Sequence, residues 1–183
     1  MKPSILLPEV HSIPKMNNQE ISVLLSLGSN LGNRRFHIEN AAMLLRDTDI
    51  LRDIKLSSFY LTEPVGVENQ PDFLNATLTG KTCVSIYELL EFCKTIEYYH
   101  NRKKKEQWAA RELDLDIIFF GNSIIKEKDI EIPHPRVQER RFVLVPASEI
   151  AADYLHPILK KTIKELLEEC TDTALVRIVN SEL

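Results

Sequence analysis

Between residues 72 and 81 the chain alternates, with Leu74, Ala76 and Leu78 on one side of an extended strand and Phe73, Asn75 and Thr77 on the other. One side can join a core, while the other presents an aromatic ring and an amide together. Upstream, the apolar, partly β-branched run at 21–27 predicts a first buried strand, broken by Gly28, Ser29 and Asn30. Gly28 and Gly32 read as residues of a tight turn. Asn33 is placed to cap a helix running to about residue 47, with Ile38, Ala41, Ala42 and Leu45 at helical spacing. Residues 51–61 read as one long strand, followed by a loop over 62–71 that holds Pro64, Gly66 and Pro71.

The second half continues the alternation of helices and strands. Ser85 and Glu88 form a capping box for a helix with Ile86, Leu89, Leu90, Cys93 and Ile96 along one stripe, fraying near His100. A charged, mobile connection over 101–110 leads to a strand at 113–120, whose Ile117 to Phe120 run reads as buried on both faces. A small hairpin follows, pairing Ile124 and Ile125 with Ile130 and Ile132. Helices are expected at 143–150 and 163–170. The order strand, helix, strand, strand, helix, strand predicts an α+β fold, a sandwich with helices packed on a mixed or antiparallel sheet. Residues 1–19, rich in proline, read as a loose extension and 20–183 as a single domain.

The 183 residues suit one domain, and an apolar fraction of 44% with 27% charged residues fits a soluble protein with a core. With 23 Lys+Arg against 27 Asp+Glu, the net charge of −4 gives no global attraction for nucleic acid. The densest basic patch is Arg102, Lys103, Lys104 and Lys105. No apolar run approaches the length of about 20 residues that spans a bilayer, so no membrane partner is expected. Cys83, Cys93 and Cys170 lack disulfide or zinc spacing and read as buried thiols in a reducing, cytoplasmic protein.

Asp114 and Asp116 are the sharpest chemical feature. On a strand they share one face about 6.6 Å apart, while Leu113, Leu115 and Ile117 face the core. Adjacent carboxylates at a buried strand need positive company. Magnesium, which takes hard oxygen ligands together with substrate phosphates, is one candidate; pairing with Arg111, or simple hydration, is the alternative. Arg111, Arg102, Arg140 and Arg141 supply guanidinium groups able to hold phosphate oxygens. His134, between Pro133 and Pro135, reads as an exposed imidazole within reach of a phosphate or as a plain turn residue. The glycines near residue 30 lack the endings of a P-loop or dinucleotide fingerprint, and no covalent nucleophile is evident.

The segment Gln107-Trp108-Ala109-Ala110-Arg111-Glu112-Leu113-Asp114-Leu115-Asp116-Ile117-Ile118 resembles the signature of the 6-hydroxymethyl-7,8-dihydropterin pyrophosphokinases of the folate pathway. Leu27-Gly28-Ser29-Asn30-Leu31-Gly32, Gln70-Pro71-Asp72-Phe73-Leu74-Asn75 and Ile132-Pro133-His134-Pro135-Arg136 resemble the same family in the same order, with Arg140 and Phe142 just beyond. The resemblance covers roughly residues 21–156. It implies a ferredoxin-like sandwich and transfer of the β,γ-diphosphate of ATP to the hydroxymethyl group of 6-hydroxymethyl-7,8-dihydropterin, releasing AMP. It implies two magnesium ions on Asp114 and Asp116, with Arg102 and Arg111 catalytic. Glu97, Arg102, Arg111, His134 and Arg140 would contact ATP. Phe73 and Phe142 would stack on the pterin, and Asn75, Thr62 and Val65 would bind its edge. The partners are then the two substrates, and the protein is expected to act as a monomer.

Overall fold

A computed structural model describes residues 19–64, 70–100 and 110–179. The first strand, β1 (Ile21–Ser29), is an interior strand of an antiparallel sheet. It pairs with β4 (Phe73–Thr82) on one side and β5 (Asp114–Phe120) on the other. Beyond β4 lie β2 (Arg52–Leu56) and β3 (Phe59–Thr62), and β8 (Val176–Val179) closes the far edge against β3. The hairpin of β6 (Ile125–Glu127) and β7 (Ile130–Ile132) stands apart from the main sheet.

Alternation along the strands divides the core in two. Val23, Leu25, Leu27, Leu74, Ala76, Leu78, Leu115 and Ile117 point to one face. Helices α1 (Arg34–Asp47) and α2 (Ile86–Tyr99) cover it. Both caps act as their sequences predict: Asn33 Oδ1 accepts from Phe36 N–H, and Ser85 and Glu88 form a reciprocal capping box. On the opposite face Leu24, Ile118 and Phe119 pack under α3 (Arg141–Ala151) and α4 (Ile163–Glu169). A register shift between Leu24 and Leu25 lets neighbouring Ile118 and Phe119 both join this second core. These two helices leave the other end of that face uncovered by the second core, and there the cleft lies.

The long strand expected over 51–61 is two strands. Ser57 and Ser58 break it through tertiary hydrogen bonds: Ser57 Oγ accepts from Thr77 N–H, and Ser58 N–H and Oγ both donate to the Glu149 carboxylate on α3. β1 runs two residues past the predicted end, so Gly28 and Ser29 are strand residues. Gly32, with φ of +62°, is the one that turns the chain. Strand β8 was not anticipated. The extension at 1–18 and most of the charged connection, 101–109, fall outside the described residues. Of the three thiols, Cys93 is buried, whereas Cys83 and Cys170 are only partly so.

Candidate active site

The cleft, about 690 Å³, is floored by β1, β4 and β5 and walled by the start of α3 and the segment after α4. Thr62, Phe73, Asn75, Arg111, Asp114, Asp116, His134, Arg140 and Phe142 line it together. Nine sequence-predicted residues therefore converge from five separate stretches of chain. Arg102 and Val65 lie outside the described residues.

Strand register explains the convergence. Gly28 on β1 faces Asn75 on β4 and Asp114 on β5, while its neighbour on the same face, Ser26, faces Thr77 and Asp116. Asn75 and Asp114 are thus two strand spacings apart, roughly 10 Å, with only a glycine between them. A β-carbon at Gly28 would stand 3.1 Å from Asn75 Oδ1 and 3.8 Å from the Phe73 ring. The glycine serves close approach rather than a turn. Asn75, 3% exposed, is held in place by donating from Nδ2 to Thr62 Oγ1 at 2.7 Å.

On β5 the burial alternates as predicted, with Leu115 and Ile117 buried and both aspartates partly open, at 26% and 39% side-chain exposure. Each carboxylate meets a guanidinium: Arg111 Nη1 lies 3.0 Å from Asp114 Oδ1, and Arg140 Nη1 lies 3.3 Å from Asp116 Oδ2. The donor set is hard oxygen on a rigid strand, open to the cleft and backed by cations. That combination fits magnesium bound together with phosphates.

Burial, followed by the positive charges of Arg140 and Arg136, pushes the His134 imidazole down to about 4, so it is neutral near pH 7. Its Nδ1 accepts from Arg136 N–H at 3.3 Å, which places the ring proton on Nε2. The expected exposed setting is corrected to a half-buried one, with the backbone N–H of His134 tied to Ile118 O. Burial also lowers the Arg140 guanidinium from its ordinary value.

Glu97 is placed elsewhere. It is 6% exposed, is not among the residues lining the cleft, and Oε1 accepts from Leu115 N–H at 2.8 Å. Because β5 is an edge strand, its outward amide needs such a partner. The predicted nucleotide contact gives way to a bond that holds the aspartate-bearing strand.

Sequence reasoning missed Ser26, Arg136, Glu139, Thr171 and Asp172 as cleft residues. It also missed Asn30, 1% exposed, whose side chain joins the two halves of the rim. Asn30 Nδ2 donates to Gln70 Oε1 and Pro71 O, while Oδ1 accepts from Arg111 N–H. Burial of an amide beside a turn is the signal that could have found it, and burial is not written in a single polar residue.

The class defined here is an antiparallel α+β sandwich whose cleft sets paired strand carboxylates with facing arginines beside an aromatic ring and a buried amide. A family model, 7,8-dihydro-6-hydroxymethylpterin-pyrophosphokinase, matches residues 24–152. The 2-amino-4-hydroxy-6-hydroxymethyldihydropteridine pyrophosphokinase of Bacillus subtilis is 40% identical over 126 residues, 69% of this chain and 75% of that protein. The enzyme of the same name from Aquifex aeolicus is 37% identical over 150 residues, covering 82% of this chain and 92% of the other. A Plasmodium falciparum HPPK-DHPS crystal structure superposes with a TM-score of 0.67 at 18% identity. The overlap takes in 84% of this chain and 46% of that longer one, a likeness of fold. The chain belongs to the 7,8-dihydro-6-hydroxymethylpterin-pyrophosphokinase family. Diphosphoryl transfer from ATP to hydroxymethyldihydropterin, a step of folate synthesis, is the activity of that family.

Proposed function

We propose that this cleft performs the family's reaction with the residues it gathers. The pterin ring lies between Phe73 and Phe142, its polar edge against Asn75 and Thr62, with Val65 assigned to that edge by the family resemblance alone. An amide supplies both donor and acceptor, and aromatic stacking adds about 0.5–1.5 kcal/mol per ring pair beyond area burial. The hydroxymethyl arm then points across Gly28 toward β5, where the ATP phosphates sit over Asp114 and Asp116.

Asp114 and Asp116 would hold the two magnesium ions, which would supply neutralisation of phosphate charge and make the acceptor hydroxyl easier to ionise. Arg111 and Arg140, already directed at these carboxylates, are placed to share their charge with phosphate oxygens. Neutral His134 donates from Nε2 to a phosphate oxygen. Arg102 acts from the charged connection. Catalysis is then mainly alignment and charge stabilisation, as phosphoryl chemistry requires.

The observation that supports this reading is the cross-strand row Asn75, Gly28, Asp114, in which an amide and a carboxylate stand one bare glycine apart. No described helix is long and apolar enough to cross a membrane; a cytoplasmic location and a monomeric state belong to the same proposal and rest on the family reading alone. The test is AMP formation from ATP and 6-hydroxymethyl-7,8-dihydropterin. The native chain releases AMP only when the pterin is present, and Asp114→Ala and Asp116→Ala abolish turnover while remaining folded. Near-native AMP release by either variant contradicts the assignment.

A further inference from the structure

The segment matched by the family model ends at residue 152, yet the chain beyond it returns to the cleft. After α4, Thr171 and Asp172 form part of the wall, and β8 then pairs with β3 so that Val176 lies opposite Thr62. The C-terminal segment therefore touches both sides of the proposed pterin half. One side is Thr62, the hydrogen-bond partner of Asn75; the other is the first turn of α3, which bears Phe142.

Asp172 makes the second connection. Its Oδ2 accepts from Arg141 N–H at 3.0 Å, and its Oδ1 accepts from Ala174 N–H at 2.9 Å. Arg141 is the first residue of α3, and Arg140 before it makes no side-chain cap bond. A helix start needs acceptors for its leading N–H groups, and a carboxylate there also meets the positive end of the helix dipole. Asp172 thus caps α3 from 31 residues away. The residues on either side of the capped N–H are Arg140, which reaches Asp116, and Phe142, which lines the cleft.

We propose that Asp172 is a positioning residue of the pterin site: by capping α3 it fixes the Phe142 ring, so that the C-terminal segment sets pterin affinity. This rests on the pyrophosphokinase reading of the cleft. Both Asp172 carboxylate oxygens accept from backbone N–H groups, so its loss acts on the ring through the start of the helix.

The experiment is steady-state AMP release by the full chain, with KM for pterin and for ATP measured separately, in Asp172→Ala, Asp172→Asn and Arg141→Pro. Asp172→Ala is expected to raise KM for the pterin at least ten-fold while KM for ATP changes less than two-fold. Asp172→Asn, which keeps one acceptor oxygen, should recover at least a third of the lost pterin affinity. Arg141→Pro removes the donated N–H at a position where proline is tolerated. Asp172→Ala in that background should therefore add less than three-fold, the signature of a shared contact. An unchanged pterin KM in Asp172→Ala, equal rises for both substrates, or full additivity with Arg141→Pro overturns the proposal. Should Asp172→Ala fail to fold, Asp172→Asn decides by the same KM split. If the native chain releases no AMP with pterin present, the pyrophosphokinase reading itself fails and takes this proposal with it, an outcome distinct from a native enzyme with insensitive variants.

Discussion

Asn30 and Arg111 hold each other by two hydrogen bonds: Arg111 N–H donates to Asn30 Oδ1 at 2.7 Å, and Asn30 N–H donates to Arg111 O at 3.1 Å. The same Asn30 side chain donates to Gln70 and Pro71, so one buried amide ties the Arg111 side of the rim to the segment that leads into β4. Asn30→Ala leaves Arg111 N–H and the Pro71 carbonyl without this partner. The expected loss of stability is about 1–3 kcal/mol, read by urea denaturation. The account also expects AMP turnover to fall more than tenfold under conditions where the variant is fully folded. Native turnover would separate this clamp from the site.

Gly28→Ala tests the close approach. The added β-carbon would crowd Asn75 Oδ1, and Asn75 is restrained by its bond to Thr62. Pterin affinity should drop at least ten-fold, about 1.4 kcal/mol, while affinity for a nonhydrolysable ATP analogue changes less than two-fold. Calorimetric titration of each ligand reads the two effects independently.

Asn75→Ala should weaken pterin binding more than nucleotide binding, since the amide lies two strands away from the carboxylates. Equal losses for both ligands in calorimetry would remove Asn75 from the pterin edge.

His100 gives a pH dependence with a definite sign. Burial and the neighbouring His37 push its imidazole down to about 4, and its ring bonds to His37 at 2.7 Å and to Asn40 Oδ1 at 3.0 Å. The folded protein resists protonation here, whereas the unfolded chain takes up a proton near pH 6.5. The neutral ring's contribution is therefore complete above that pH and is lost as pH falls from 6.5 toward 4. His134, likewise held near 4, adds in the same direction. The melting temperature of the native protein should fall more steeply over this window than that of His100→Gln, and parallel profiles would remove His100 as a contributor.

Much of this architecture is written locally. The Asn33 cap, the Ser85 and Glu88 box and the alternation at 73–78 each depend on neighbours in sequence, and each stands as read. The two aspartates face the cleft because Leu115 and Ile117 must face the core. What was illegible depends on distant groups. Glu149 and Thr77 split the strand at Ser57 and Ser58. Ile178, 55% exposed on the edge strand β8, gives no buried alternation to detect. Glu97 looks like a surface carboxylate until β5 is laid beside it, and Gly28 looks like a turn until its partner strands supply Asn75 and Asp114.

Manganese, which takes similar oxygen ligands, offers a paramagnetic count of the ions proposed for Asp114 and Asp116. Electron paramagnetic resonance titration of the chain with a nonhydrolysable ATP analogue and the pterin reads that number directly. Two bound ions are predicted for the native protein, and fewer for Asp114→Ala and for Asp116→Ala. The same two ions in all three proteins would contradict the account.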